Sequence, residues 1–403
     1  MVDDERRNEV EDELRRQAKK SFDTGMTAFR RGDYLEALSA LDDALELCQD
    51  ISGSECGQAD CLHSSGIVLG EMGDLREALG CYEQALVLYR EVPGNECGQA
   101  DCLYNSGVAL GGLGDSRGAS ECYERALILF QGVPDSECVQ AECLFNRGAM
   151  LNELGDWWGA LGCFEQSLTL FQGVPGSERE QADCLYGSGV SLSELGDCWG
   201  ALGYFDRALV LLDKGIVEVD WAEAERTGAR CLQGIGDCLV ELNEAVFPDH
   251  FARALEVFQR PEHVDHTKAD QASCLRSIGN GRSATDDLNG AVEAYQQAQD
   301  LYRQVGQPER ATEINVPLAR VLKRKAATLD SIFERLALLE ESLNLTIEAA
   351  LSLDRARFRL DRLDDRQRWF QAHARSTMDL ALEVAAELGR PHLISDLIAT
   401  WRT

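Results

Sequence analysis

Cysteines five residues apart recur along this chain. Cys56 and Cys61 stand in SECGQADCL (54–62), Cys97 and Cys102 in NECGQADCL (95–103), and Cys138 and Cys143 in SECVQAECL (136–144). The fourth version, SEREQADCL (177–185), keeps only Cys184. Repeated thiols could hold a metal, form a disulfide ladder or fill a hydrophobic seam. A metal site calls for Cys-x-x-Cys, or for Cys and His converging within one unit. A separation of five on a helix turns the two thiols to different faces. Fifteen cysteines is an odd number, and MVDDERRNEVEDELRRQAKK reads as charged helix rather than as a signal peptide, so a disulfide framework is not expected. A small apolar thiol suits a close helix–helix contact. Packing is therefore the reading favoured for Cys61, Cys102, Cys143 and Cys184, with no metal and no cofactor expected.

Other reactive constellations are equally sparse. The chain has no phosphate-binding Gly-x-x-x-x-Gly-Lys-Ser/Thr, no Gly-x-Ser-x-Gly and no His-Glu-x-x-His. His263-Val-Asp-His266 could ligate a metal, but the sequence offers no third ligand for it. No histidine recurs among the six, so no catalytic residue is assigned and a non-enzymatic protein is expected.

The elements that position these residues follow from the 41-residue step. Glycine recurs at Gly25, Gly66, Gly107, Gly148 and Gly189, and a second glycine follows seven later, at Gly32, Gly73, Gly114, Gly155 and Gly196. Twelve after the first glycine stands Ala37, Ala78, Ala119, Ala160 or Ala201. A large residue lies four further on (Leu41, Tyr82, Tyr123, Phe164, Phe205), and a small one three beyond that (Ala44, Ala85, Ala126, Ser167, Ala208). The offsets describe two antiparallel helices, A and B, per copy. The first glycine is in mid-helix, where it costs about 1 kcal/mol against alanine, so a neighbouring helix must come too close there for a side chain. The second glycine ends helix A, and Asp33, Asp74, Asp115, Asp156 or Asp197 is placed to cap helix B. In Asp33-Tyr-Leu-Glu36 and Asp74-Leu-Arg-Glu77 the glutamate completes a capping box. Val-Pro-Gly/Asp at 92–94, 133–135 and 174–176 then stops helix B.

This pattern of small residue, Gly, Ala, aromatic and Ala resembles the tetratricopeptide repeat (TPR), in a lengthened form similar to that of kinesin light chains. The resemblance implies an all-α fold, a right-handed α-solenoid of stacked antiparallel helix pairs forming a TPR superhelix. Residues 1–17 are expected as a charged helix leading into the first copy. Residues 18–303 then hold about seven copies, the sixth divergent around Gly236 with an insertion near 244–251. The seventh carries Gly279, Ala291, Tyr295 and Ala298, and residues 304–403 form divergent helical pairs.

The concave surface of such a stack is lined by helix A. Its inward face should carry the residues six and three before the repeat glycine. The first row reads Asp60, Asp101, Glu142, Asp183; the second reads His63, Tyr104, Phe145, Tyr186. Ile67, Val108, Ala149 and Val190 follow, then Gly70, Gly111, Asn152 and Ser193. Beside the second row stand Asn105 and Asn146, where the resemblance implies an amide for a ligand's backbone. These rows fit a groove for a peptide with basic and apolar side chains. They equally fit a structural role, with aromatics packing between copies and acids favoured near the start of helix A by the helix dipole. Trp157, Trp158 and Trp199, beside the A–B turn, form a second candidate contact patch.

Charge narrows the partners. Residues 1–300 hold 55 acidic and 23 basic side chains, and residues 301–403 hold 15 and 16. An acidic arm repels nucleic acid and anionic lipid. No apolar run approaches the roughly 20 residues a membrane helix needs, and a cytoplasmic protein is expected. The C-terminal sequences LALEVAAELGRP and LISDLIATWR, after Asp361-Arg-Leu-Asp-Asp-Arg-Gln-Arg-Trp-Phe370, look like the segment preceding the peptidase domain in bacterial TPR–CHAT proteins. That resemblance implies a regulatory arm for a caspase-like effector, as the alternative to a free-standing protein-binding scaffold.

Overall fold

The computed structural model describes residues 2–215, 221–244, 247–260, 264–357 and 374–395. The chain divides into two compact units, Met1–Gly215 and Ile216–Thr403. Among the described residues every regular element is helical. The first unit is five helix pairs: α1 (Val2–Arg30) with α2 (Tyr34–Gln49), α3 (Glu55–Met72) with α4 (Leu75–Glu91), α5 (Glu96–Gly112) with α6 (Ser116–Phe130), α7 (Glu137–Glu153) with α8 (Trp157–Phe171), and α9 (Glu178–Glu194) with α10 (Cys198–Gly215). Helices α2, α4, α6 and α8 each pack on their own A helix and on the A helix of the next pair, and α10 packs on α9. A helices of successive pairs also touch, α1 with α3, α3 with α5 and α7 with α9.

The repeat glycine is explained by one contact. A Cβ placed at Gly66 would lie 2.5 Å from Cε1 of Tyr82, and at Gly107 2.7 Å from Cε1 of Tyr123. Gly148 meets Phe164 and Gly189 meets Phe205 in the same way. The ring of helix B lies directly against bare backbone of its own helix A. The second glycine also behaves as its position predicts. Gly73 (φ +86°) and Gly114 (φ +81°) are left-handed, and the amide N–H of the following aspartate reaches back to helix A, Asp74 to the Leu69 carbonyl and Asp115 to the Leu110 carbonyl, both at 2.9 Å.

The capping boxes do not form. Asp33 and Asp74 make no side-chain cap hydrogen bond, and Glu36 turns instead to Arg31 at 2.9 Å. The carboxylate caps appear where the third helical residue is glycine. Asp115, Asp156 and Asp197 accept from the N–H of Gly118, Gly159 and Gly200 at 3.0, 3.0 and 2.9 Å. A Cβ on any of these glycines would lie 2.5 Å from the carboxylate oxygen, so a glutamate there cannot let the aspartate come as close.

The motif SECGQADCL contains a second device. Its Ser and Gln reach back across the loop to the last turn of the preceding B helix. Ser136 Oγ donates to the Phe130 carbonyl at 2.7 Å and Ser177 Oγ to the Phe171 carbonyl at 2.6 Å; Ser54 does the same to Cys48. Gln140 and Gln181 donate to the same carbonyls at 3.3 Å. Helix B therefore ends with its carbonyls satisfied, at a net gain of about 1 kcal/mol per bond. The four recurring cysteines are buried and free, and burial pushes each of these thiols up to about 12. They are packing groups rather than nucleophiles. Among the described residues no cluster of three His, Cys, Asp or Glu side chains is placed to hold a metal. His263 and the side chain of His266 lie outside those residues.

The second unit comprises α11 (Trp221–Glu241), α12 (Phe247–Phe258), α13 (Val264–Ala284), α14 (Leu288–Gln304), α15 (Pro308–Glu313), α16 (Asn315–Ala327), α17 (Ile332–Arg357) and α18 (Arg375–Glu387). Its first copy differs from the sequence expectation. Phe247–His250, expected within an insertion, form the first turn of α12, and Phe251 supplies the ring against Gly236. Asn243 takes the left-handed position with φ +62°. Tyr295 lies on Gly279 in the regular way. Most of the stretch resembling the TPR–CHAT segment, residues 361–370 and 396–402, lies outside the described residues.

Two stability predictions follow from these contacts. Gly107→Ala gains helix propensity but drives a methyl into Tyr123, so urea unfolding should show a net loss of about 1–3 kcal/mol. Asp135 occupies, at φ +56°, the turn position that Gly94 and Gly176 hold at +85° and +79°. Asp135→Gly should raise stability by about 0.5–1 kcal/mol, read as a higher melting temperature.

Candidate functional site

The two rows expected on helix A lie on the side where A helices touch. His63, Tyr104, Phe145 and Tyr186 are each half-buried, and each packs on the B-helix ring that covers the repeat glycine. The ring centroids are 5.8 Å apart for His63–Tyr82, 5.8 Å for Tyr104–Tyr123, 5.6 Å for Phe145–Phe164 and 6.0 Å for Tyr186–Phe205. These separations suit tilted or edge-to-face aromatic contact. The second to fifth copies thus each carry a two-ring stack, the inner ring closing the core and the outer one facing the A-helix surface.

The amides tie one copy to the next. Asn105 donates from Nδ2 to His63 Nε2 at 2.8 Å, and Asn146 donates to the Tyr104 hydroxyl at 3.2 Å. Because an amide N–H can only donate, Nε2 of His63 accepts and its ring proton sits on Nδ1. The Tyr104 hydroxyl donates onward to Glu142 at 3.4 Å. Asn105 and Asn146, expected to face a ligand's backbone, thus spend a donor inside the protein.

The acids of the first row do not cap helix A. Asp60 is the sixth residue of α3 and accepts from the Tyr89 hydroxyl at 2.5 Å. Asp183 pairs with Arg179 at 3.5 Å. Burial holds the Asp101 carboxyl above the usual carboxylate range, with His63 opposing the shift. Burial also lowers His63, with Asp101 and Asp60 opposing. Asp60 is exposed and the other three acids are half-buried, so the row is both engaged and accessible. The rows do not continue in the second unit. There the corresponding residues are Arg230 and Ser273, then Gln233 and Arg276. Arg226 and Arg230 both grip Asp270, at 2.6 and 2.9 Å, and Gln233 donates to Ser273 at 3.1 Å.

The three tryptophans separate. Trp157 is half-buried, whereas Trp158 and Trp199, one repeat apart, are 70% and 68% exposed. Leu154 beside Trp158 is also exposed. Sequence reasoning by helical face missed the Ser/Gln bonds and the ring that ends helix B, Tyr89, Phe130 or Phe171. Both recur at the 41-residue step, which was the available signal.

The tetratricopeptide repeat family model matches residues 23–91, 61–132 and 140–214. The chain contains tetratricopeptide repeats. Solved structures with the same fold include apo RapI, with a TM-score of 0.57 and 16% identity over 72% of this chain and 99% of that one. The apo quorum sensor NprR from B. thuringiensis has a TM-score of 0.56 at 13% identity, covering 90% of this chain and 98% of its own. A Rap protein complexed with competence and sporulation factor has a TM-score of 0.54 at 15% identity, covering 95% and 99%. At these identities the likeness is one of fold. No curated protein matches the chain's sequence. No helix among the described residues is long and apolar enough to cross a membrane.

The His63 bond gives the repeats a pH signature. Its folded value lies below the ordinary 6.5, so its contribution is whole above pH 6.5 and declines as the pH falls below it, when a proton on Nε2 would confront the Asn105 amide. His63→Gln should flatten that part of the stability–pH curve relative to the parent, as measured by urea midpoints in buffers on either side of pH 6.5.

Proposed function

We propose that the tetratricopeptide repeats of the first unit form a protein-interaction scaffold that takes an extended segment of a partner along the A-helix face. The observation that carries this reading is the pair of rows from Asp60 to Asp183 and from His63 to Tyr186. Their side chains stay half-buried or exposed although each is oriented by a neighbour. Aromatic rings fixed from behind lose little entropy on binding, which is the property of an interface anchor. The carboxylates favour basic side chains on the partner, and the excess of acid over base in residues 1–300 steers such a partner to the face. The rows carry no nucleophile or general-base arrangement, so the reading is of a binding protein.

The Trp158–Trp199 strip, beside the A–B turn, is a secondary contact surface in this proposal. The alternative role, as a regulatory arm of a CHAT-type peptidase system, rests on C-terminal sequence that lies mostly outside the described residues, and no structural observation favours it.

Asp101→Asn, Glu142→Gln and Asp183→Asn combined should leave the fold intact by circular dichroism. They should also reduce partner capture from native lysate and make the residual binding less sensitive to salt. Tyr104→Ala with Phe145→Ala and Tyr186→Ala should abolish capture. A folded triple-alanine variant that retains every partner would sink the proposal.

A further inference from the structure

One position breaks the internal symmetry of the repeats. Seven residues after the large residue on the repeat glycine, helix B carries Tyr89, Phe130, Phe171, Leu212, Phe258 and Tyr302 in successive copies. All six side chains are buried. Tyr89 closes the gap between α3 and α5, where a Cβ on Gly98 would lie 2.8 Å from its ring, and Phe130 packs in the same way with residues of α5 and α7. In the first copy the residue is Cys48. The surroundings are otherwise kept, since Ala18, Ala44, Cys48 and Cys61 cluster as Ala59, Ala85, Tyr89 and Cys102 do one copy later. Gly57, the counterpart of Gly98, is likewise retained, and a Cβ there would meet only the Cys48 sulfur at 3.3 Å.

The missing ring leaves a hole. A cavity of about 350 Å³ opens between α1, the end of α2 and the start of α3, walled by Ala18, Phe22, Cys48, Ile51, Gly57 and Cys61. That volume lies in the range of small-ligand pockets, about 300–1,000 Å³. Its rim carries Arg15, Lys19 and Asp60. Lys19 stands one repeat before Asp60, so the cavity opens at the first end of the acid row. Arg15 also lies 3.9 Å from Glu11 and 3.8 Å from Asp12 on its own helix, so it is held at the rim by side chains that a ligand carboxylate would share.

We propose that this cavity receives the C-terminal aromatic residue of a peptide partner, whose ring takes the place that Tyr89, Phe130 and Phe171 fill in later copies. The terminal carboxylate lies against Arg15 and Lys19, and the rest of the segment runs on along the acid and aromatic rows. The proposal rests on the binding face described above and names where the segment ends.

The test uses N-acetyl-4-fluoro-phenylalanine, a ring with a carboxylate, titrated into the full chain and followed by 19F line broadening. A fragment of this size should saturate with a Kd on the order of 1 mM. Cys48→Ala keeps the cavity and should bind as well as the parent. Cys48→Phe and Cys48→Leu, the residues of later copies, should raise the melting temperature and weaken the probe at least tenfold, an effect of about 1.4 kcal/mol. The carboxamide of the probe should bind several-fold more weakly, and N-acetylalanine not at all. Unchanged binding to both filled variants, loss of binding in Cys48→Ala, or equal binding of N-acetylalanine would overturn the proposal. The triple-alanine variant of Tyr104, Phe145 and Tyr186 separates the two readings. It should lose partner capture yet keep the probe, whereas a probe that fails while that variant still loses its partner removes the cavity alone.

Discussion

The first unit depends on aromatic rings laid on bare backbone. Where Tyr82, Tyr123, Phe164 or Phe205 covers its glycine, the two helices of a pair come closer than any side chain allows. That closeness fixes the angle at which helix B leaves and where the next helix A must dock. The cost is a glycine in mid-helix, about 1 kcal/mol per copy. Burial of an aromatic side chain repays it, at about 1.5–3 kcal/mol. Because stability in a stack comes from neighbouring units, the same contact repeated sets both the pair and the pitch between pairs.

The proposed binding face is a consequence of that contact. The outer rings of Tyr104, Phe145 and Tyr186 have something rigid to stand on because an inner ring lies beneath each. The hydrogen-bond chain from Asn146 through Tyr104 to Glu142 runs along the same surface and orients it. In the proposed role packing and recognition share residues, and a structural partner for each side chain does not argue against a ligand. A face whose acids are held apart by their own tyrosines and arginines is prepared for a cation without collapsing onto itself.

Much of this was legible before any coordinates. Gly66, Gly73, Ala78 and Tyr82 announce a helix pair because each type has one physical use at its offset. The burial of Cys61, Cys102, Cys143 and Cys184 followed from their place before the helix A leucine. The local devices were less legible. Asp74-Leu-Arg-Glu77 satisfies the rule for a capping box and makes none, while Asp115 caps through Gly118, whose value lies in the room it leaves. Ser136 and Gln140 belong to the helix before theirs, a relation that a reading by helical face does not test. The sixth copy was legible at Gly236, but residues 247–250, expected within an insertion, are helical, and Phe251 lies one residue closer to its glycine than the other rings do.

What the sequence determined by itself is the architecture: a 41-residue step of small and aromatic residues admits few ways for two helices to meet, and repetition multiplies one solution down the chain. What only the tertiary structure decided is which of the repeated residues are spent inside the protein and which remain on a surface. Asn105 and His63 are 42 residues apart and Asp60 and Tyr89 are 29 apart, and each meets its partner only when neighbouring pairs have docked. The cavity beside Cys48 belongs to the same class. A cysteine among fifteen is unremarkable in a sequence, and it becomes a vacancy only when six later copies are seen to place a bulky side chain in that position. Side-chain identity is local, whereas the space around it is made by elements distant in the chain.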